Sequence, residues 1–246
     1  MTVRISSGTA TDAGITRLVL LRHGQSIWNR DKVFTGWSDV ALSPKGKQEA
    51  MDAGYLLLHA GFTFDYCFSS SLQRATETAQ VVLAAMKLDK LIIRHSWRLN
   101  ERHYGALEGM GRLAAVRKFG LWSVLRTQIR YDGEPPKLNT EDARFPGNQS
   151  NYAAIDKTEL PLGESLKQTA ERLQPYWWKV IRPQVVQGKS VMIVSHKNVL
   201  RALMGQLDQL TERQVMRLKL ATGRPVVYEL NHALQPVRHY YVDKMP

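Results

Sequence analysis

Arg22, His23 and Gly24 follow directly on the apolar run Leu18-Val19-Leu20-Leu21. A short, wholly apolar run of this kind reads as a buried strand, and such strands end at the edge of an α/β sheet where ligands bind. A neutral imidazole is a usable nucleophile. An arginine grips phosphate through its planar fork. A glycine at that point can open a helix whose free N–H groups face an anion. Together the three residues suit the holding and attack of a phosphoryl group. Three residues are weak evidence alone, so the other parts must come from elsewhere in the chain.

The run Val191-Met192-Ile193-Val194 ends in Ser195-His196 and leads at once into a helical pattern, which repeats the context of His23. Taken singly, His196 reads as a satisfied buried histidine. Taken as a pair, two strand-end histidines 173 residues apart favour one shared pocket. Arg74 follows Ser69-Ser70-Ser71-Leu72 at the start of another helix, and so reaches the same edge. Without those neighbours it reads equally well as a helix-surface arginine. The segment Leu99-Asn100-Glu101-Arg102-His103-Tyr104-Gly105-Ala106-Leu107 is dense in polar groups. Glu101 in a partly apolar cleft can trade a proton with a substrate hydroxyl. The alternative, a surface ion pair between Glu101 and Arg102, stays open on sequence alone. The seven histidines lack metal-ligand spacing, one cysteine makes no cluster, and no glycine-rich loop ends in Gly-Lys-Ser/Thr as a P-loop does. What remains is metal-free phosphoryl transfer through histidine.

Alternating strand and helix patterns must position these residues. Residues 18–21, 64–68, 91–93, 191–194 and 226–230 read as strands. Residues 45–58, 72–86 and 198–207 read as helices, the first behind Ser43-Pro44 as N-cap and N1. Residues 165–186 read as a helix interrupted near Pro175 and Pro183. This alternation predicts a mostly parallel sheet with helices on both faces. Residues 120–163, with Pro135-Pro136, Pro146-Gly147 and Pro161, read as an inserted excursion covering the sheet edge. Residues 1–16 read as a flexible leader, and residues 17–246 as one catalytic domain.

Composition narrows the class. The chain has 246 residues, 43% of them hydrophobic, enough for a sizeable core, and lacks the apolar block of a membrane span or signal peptide. Its lone cysteine, Cys67, excludes an internal disulfide and reads as a core residue. The net charge is +12, and residues 179–246 carry eleven Lys/Arg against four Asp/Glu. Most of that excess reads as solvated surface. The rest suits small anionic substrates better than nucleic acid, for which no recognition motif is present.

Residues 20–29, 34–40, 99–107, 160–166 and 222–230 together resemble the cofactor-dependent phosphoglycerate mutases of the histidine phosphatase superfamily. The likeness spans residues 18–241, and residues 99–107 are its most specific stretch. It implies a three-layer α/β sandwich around a mostly parallel sheet. It also implies interconversion of 3-phosphoglycerate and 2-phosphoglycerate, as in glycolysis and gluconeogenesis, primed by 2,3-bisphosphoglycerate and without metal. His23 would carry the phosphoryl group, Arg22, Arg74 and His196 would surround it, and Glu101 would move the proton. Ser26, Asn29, Thr35, Gly36, Arg102, Tyr104, Arg112, Lys197 and Asn198 match or replace substrate-contact positions. A cytoplasmic dimer or tetramer acting on phosphorylated three-carbon acids, with neither nucleic acid nor membrane as partner, completes the expectation.

Five positions, two of them adjacent, depart from the family pattern. Lys197 stands for a glycine, Gln128-Ile129 for a tandem arginine pair, Arg112 for a lysine and Val33 for an arginine. Arg126 and Arg130 flank the missing pair as candidate substitutes. The catalytic set is complete and the substrate-holding set is altered. That pattern keeps open a small-molecule or bisphosphoglycerate phosphatase on the same scaffold. A catalytically silent binding protein is the third reading, and the histidine pair argues against it.

Overall fold

The computed structural model describes residues 14–245. Residues 1–13 of the expected leader lie outside the described residues, and Thr16 already belongs to a strand. In chain order the strands are β1 (Thr16–Arg22), β2 (Tyr66–Ser70), β3 (Ile93–Ser96), β4 (Val191–Ser195), β5 (Val226–Leu230) and β6 (Pro236–Tyr241). The helices are α1 (Ile27–Arg30), α2 (Pro44–His59), α3 (Gln73–Ala85), α4 (Arg112–Phe119), α5 (Leu121–Ile129), α6 (Leu166–Tyr176), α7 (Arg182–Val186), α8 (Lys197–Leu207) and α9 (Glu212–Arg217).

The strands form one sheet in the order β3-β2-β4-β1-β5-β6. β3, β2, β4 and β1 run parallel, while β5 is antiparallel to both β1 and β6. The expected parallel sheet is present with an antiparallel flank. β1 reads as a continuous apolar run because both faces are covered. Leu18 and Leu20 enter a core built with α6 and α8. Val19 and Leu21 enter a second core with α2 and α3. Cys67 lies in that second core, where burial pushes its thiol up to about 12.

Helix starts follow their sequence signals. Ser43 caps α2 by accepting from Gly46 N–H, with Pro44 at the first helical position. Ser165 and Gln168 form a capping box on α6. The prolines expected to interrupt the long helix do so only in part. Between α6 and α7 the chain makes one wide turn over Trp177–Ile181, with Arg182 N–H reaching back to Trp177 O. Pro183 then sits in the first turn of α7, where its missing N–H costs nothing.

Residues 120–163 are more ordered than their composition suggests. α4 and α5 form a hairpin about Gly120, whose φ is +81°, and pack Ala115 and Val124 on Phe34 and Leu107. Exposed Leu113 and Trp122 blur the apolar spacing that would mark these short helices. Beyond α5, Leu138, Phe145, Tyr152 and Leu160 close a small core on Trp37 and on Trp97, the residue that follows β3. Among the described residues no helix is long and apolar enough to cross a membrane.

Candidate active site

Strand pairing brings the two histidines together. Arg22 of β1 lies opposite Ser195 of β4, and His23 N–H donates to Ser195 O at 3.0 Å. The residues that follow therefore leave the sheet side by side. The rings of His23 and His196 stand 4.8 Å apart at 59°, both buried.

Hydrogen bonds fix the tautomer of each ring. His23 Nδ1 lies 2.6 Å from Gly24 O, and a carbonyl can only accept, so the proton is on Nδ1. Nε2 is left with its lone pair. Burial, then Arg74 and Arg22, push the His23 pKa well below 6.5, so the ring stays neutral at pH 7. At His196 the logic runs through three residues. Ser71 N–H donates to Asn100 Oδ1 at 3.0 Å, which fixes that amide's orientation. Ser70 Oγ therefore spends its proton on the same oxygen at 2.8 Å. His196 Nε2, 2.8 Å from Ser70 Oγ, must then be the donor. Its Nδ1 is buried with no partner, an acceptor waiting for a proton-bearing or protonating guest.

Two arginines supply the charge. Arg74 at the start of α3 is held by Gly36 O at 2.7 Å and Ser38 O at 2.9 Å, and burial pulls its pKa down to about 10. Arg22 donates to Leu220 O at 2.8 Å, while its buried Nε has no partner. Among the described residues neither arginine is paired with a carboxylate. An anion would find both ready-made.

Glu101 is aimed by backbone. Its Oε1 accepts from Arg102 N–H at 2.8 Å and Asn198 N–H at 3.1 Å, leaving Oε2 unbonded. Its carbonyl is held by Trp37 Nε1 and by Arg172. The surface ion pair with Arg102 does not form. Arg102 is buried, and its guanidinium binds Glu164 O and Gly133 O, both at 2.6 Å.

Above this buried floor lies a cleft of about 400 Å³, lined by Arg22, Glu101, Asn29, Thr35, Gly36, Tyr104, Arg112, Lys197 and Asn198. Lys32 and Gln128, which sequence reasoning passed over as ligands, line it too. Ser26 and Arg102 do not. Ser26 instead caps α1 in a box with Asn29. Arg126 and Arg130 also stay out, and Arg130 is spent on Asp132 at 2.8 Å. Gln128 faces the cleft and accepts from Arg112, whereas Ile129 is 64% exposed outside it. A larger open groove of about 510 Å³ runs past Ile129 to α9, but neither Arg22 nor Glu101 lines it.

One expectation is corrected. The N–H groups after His23 do not form an open anion cradle. Gly24 N–H donates to Thr78 Oγ1 at 3.1 Å, Gln25 N–H to Glu49 at 2.8 Å and Ser26 N–H to Asn29 at 3.2 Å. Gly24 is needed for close approach instead. A Cβ there would sit 2.1 Å from Gly46 O.

The family model described as "Histidine phosphatase superfamily (branch 1)" matches residues 18–242. A curated "2,3-bisphosphoglycerate-dependent phosphoglycerate mutase 1" from Nitrosomonas europaea is 58% identical over 226 residues, covering 92% of this chain and 97% of that one. A mutase of the same description from Hamiltonella defensa is 46% identical over 228 residues, covering 93% and 92%. The chain belongs to the cofactor-dependent phosphoglycerate mutase family of the histidine phosphatase superfamily.

Solved structures agree on the fold. A phosphoglycerate mutase from Bacillus anthracis superposes with a TM-score of 0.63 at 23% identity, covering 93% of this chain and 92% of that one. A mycobacterial glucosyl-3-phosphoglycerate phosphatase gives 0.66 at 23% identity, covering 87% and 92%. Mutase and phosphatase structures thus share the scaffold, and the fold does not by itself separate the two activities. Of the residues singled out as departures from the family pattern, Val33, Arg112, Gln128 and Lys197 line the cleft, whereas Ile129 lies outside it.

Proposed function

We propose that this chain is a 2,3-bisphosphoglycerate-dependent phosphoglycerate mutase working through a phosphohistidine at His23. The observation that carries the reading is His23 itself, neutral, with its one proton tied to Gly24 O, its Nε2 left with a lone pair, and Arg74 and Arg22 near enough to disfavour its charge. A phosphoryl group passes from bisphosphoglycerate to His23 as the N–P bond forms and the P–O bond breaks. Oε2 of Glu101 gives the departing oxygen its proton. In the second transfer the other hydroxyl of the bound phosphoglycerate attacks the phosphohistidine, and Glu101 takes the proton back. Arg74 and Arg22 hold the charge spread over the transferring oxygens, and His196 Nδ1 accepts a hydrogen bond from a phosphoryl oxygen that carries a proton. The resemblance extends the reading to a cytoplasmic dimer or tetramer.

The test is conversion of 3- to 2-phosphoglycerate with and without catalytic 2,3-bisphosphoglycerate, with labelled phosphate trapped on protein. Conversion that needs the bisphosphate, and label lost in His23→Ala, is the expected result. Folded protein that converts nothing overturns the reading. Gln128 inside the cleft and Ile129 outside it favour a second reading, a phosphatase in which water replaces the acceptor. Phosphate release outrunning isomerisation on the same substrate would establish it.

A further inference from the structure

Lys197 is the first residue of α8 and follows His196 directly. It lines the cleft with Arg22, Glu101, Arg112 and Gln128. Its place is fixed from both sides. Asn198 N–H holds Glu101 Oε1 at 3.1 Å, and Asn198 Nδ2 donates to the Tyr104 hydroxyl at 3.1 Å. The first turn of α8 cannot shift without moving the Glu101 carboxylate.

The Lys197 ammonium is half-buried, and among the described residues it has no hydrogen bond or ion pair. Its neighbours make matters worse. Burial, Arg201 and Arg22 all disfavour its charge, and only Glu101 opposes them. A long flexible cation kept half out of water among other cations is unfavourable unless an anion joins it. The phosphoryl end of the site is already served by Arg22, Arg74 and the histidine pair on the floor. On the wall above, Gln128 is neutral and engaged with Arg112. Of the two lysines on the wall Lys32 is exposed to water, so Lys197 is the half-buried one left without a partner.

We infer that Lys197 binds the carboxylate of the phosphorylated acid and sets the preference for acids over phosphates with an uncharged end. This rests on the reading of the cleft as a site for phosphorylated three-carbon acids. A charge-assisted hydrogen bond of this kind makes Lys197→Met weaken 3-phosphoglycerate by about 10- to 100-fold. Glycerol 3-phosphate, which lacks the carboxylate, weakens by no more than about threefold through lost long-range attraction. Lys197→Arg keeps most of the affinity.

The experiment is calorimetric titration of both ligands, without bisphosphoglycerate, into wild type, Lys197→Met and Lys197→Arg, with a thermal melt of each. Should the methionine variant fail to fold, Lys197→Gln takes its place. Selective loss of the acid supports the inference. Equal loss of both ligands, or no loss, overturns it. Isomerisation by the wild type is measured on the same preparation. An inactive wild type that still shows the selective loss sinks the mutase reading alone, whereas an active one with an indifferent variant sinks this inference alone.

Discussion

Replacing Arg172 by methionine tests how the proton-shuttling segment is held. Arg172 of α6 is 8% exposed and binds Glu164 twice, at 2.6 and 3.0 Å. It also donates to the carbonyls of Trp97, Arg98, Asn100 and Glu101 at 2.9–3.1 Å. Glu164 in turn accepts from His103 N–H at 2.8 Å, so one ion pair pins the chain from 97 to 103. Methionine would leave a buried carboxylate with a single donor and four carbonyls short of one. Breaking a buried pair in this way costs about 3–5 kcal/mol. For a chain of this size that is a melting-temperature drop of roughly 6–20 °C. Removing both charges in Arg172→Met/Glu164→Leu should cost less than the sum of the single changes, because no lone charge remains buried. Denaturant titrations of the four proteins give the cycle. Turnover should fall with the single change even well below its melting temperature, since Glu101 loses its anchor. A destabilisation under about 1 kcal/mol, or strict additivity, would refute the reasoning.

Three further outcomes follow from the same contacts. His23 and His196 are buried and held well below 6.5, so the unfolded chain binds protons that the fold refuses, and stability falls as the pH drops below about 6.5. His196→Gln should remove up to about 1.4 kcal/mol per pH unit from that slope, read by denaturation between pH 5 and 7. Glu108 acts with the opposite sign. Burial pushes its carboxyl up to about 7, so its contribution is lost as the pH rises from about 4.5 through 7, and the penalty of Glu108→Gln should shrink over that range. Because Glu108 holds Trp37, Ser38 and Tyr104, and the loop's carbonyls hold Arg74, the same variant should lose turnover. Gly24→Ala should destabilise strongly, since its Cβ would meet backbone at Gly46, which a side-chain shift cannot relieve. Equal melting curves for Gly24→Ala and wild type would contradict that close approach.

What could be read from the sequence was whatever depends on local pattern. An apolar run ending in histidine marks a buried strand and its ligand end, and two such runs meet when they pair in register, as β1 and β4 do. Ser43-Pro44 marks a helix start in the same local way. The parts that stayed hidden depend on partners far along the chain. Nothing near Gly24 says that Thr78, Glu49 and Asn29 will consume the N–H groups expected to face an anion. Nothing near Arg102 says that carbonyls at 133 and 164 will claim its guanidinium. The His196 tautomer needs Ser70, Ser71 and Asn100, delivered by β2 and by the turn after β3. Yet the three serines at the end of β2 were a legible signal, because a hydroxyl at a strand end can serve no purpose in a dry core unless something polar faces it. The same reasoning separates floor from wall. Arg74 and Glu101 are each held by two side-chain bonds, so exchanging either breaks a network. The side chains of Lys197 and Gln128 on the wall make no bond and one bond to the protein among the described residues, so their types answer to the ligand more than to the fold.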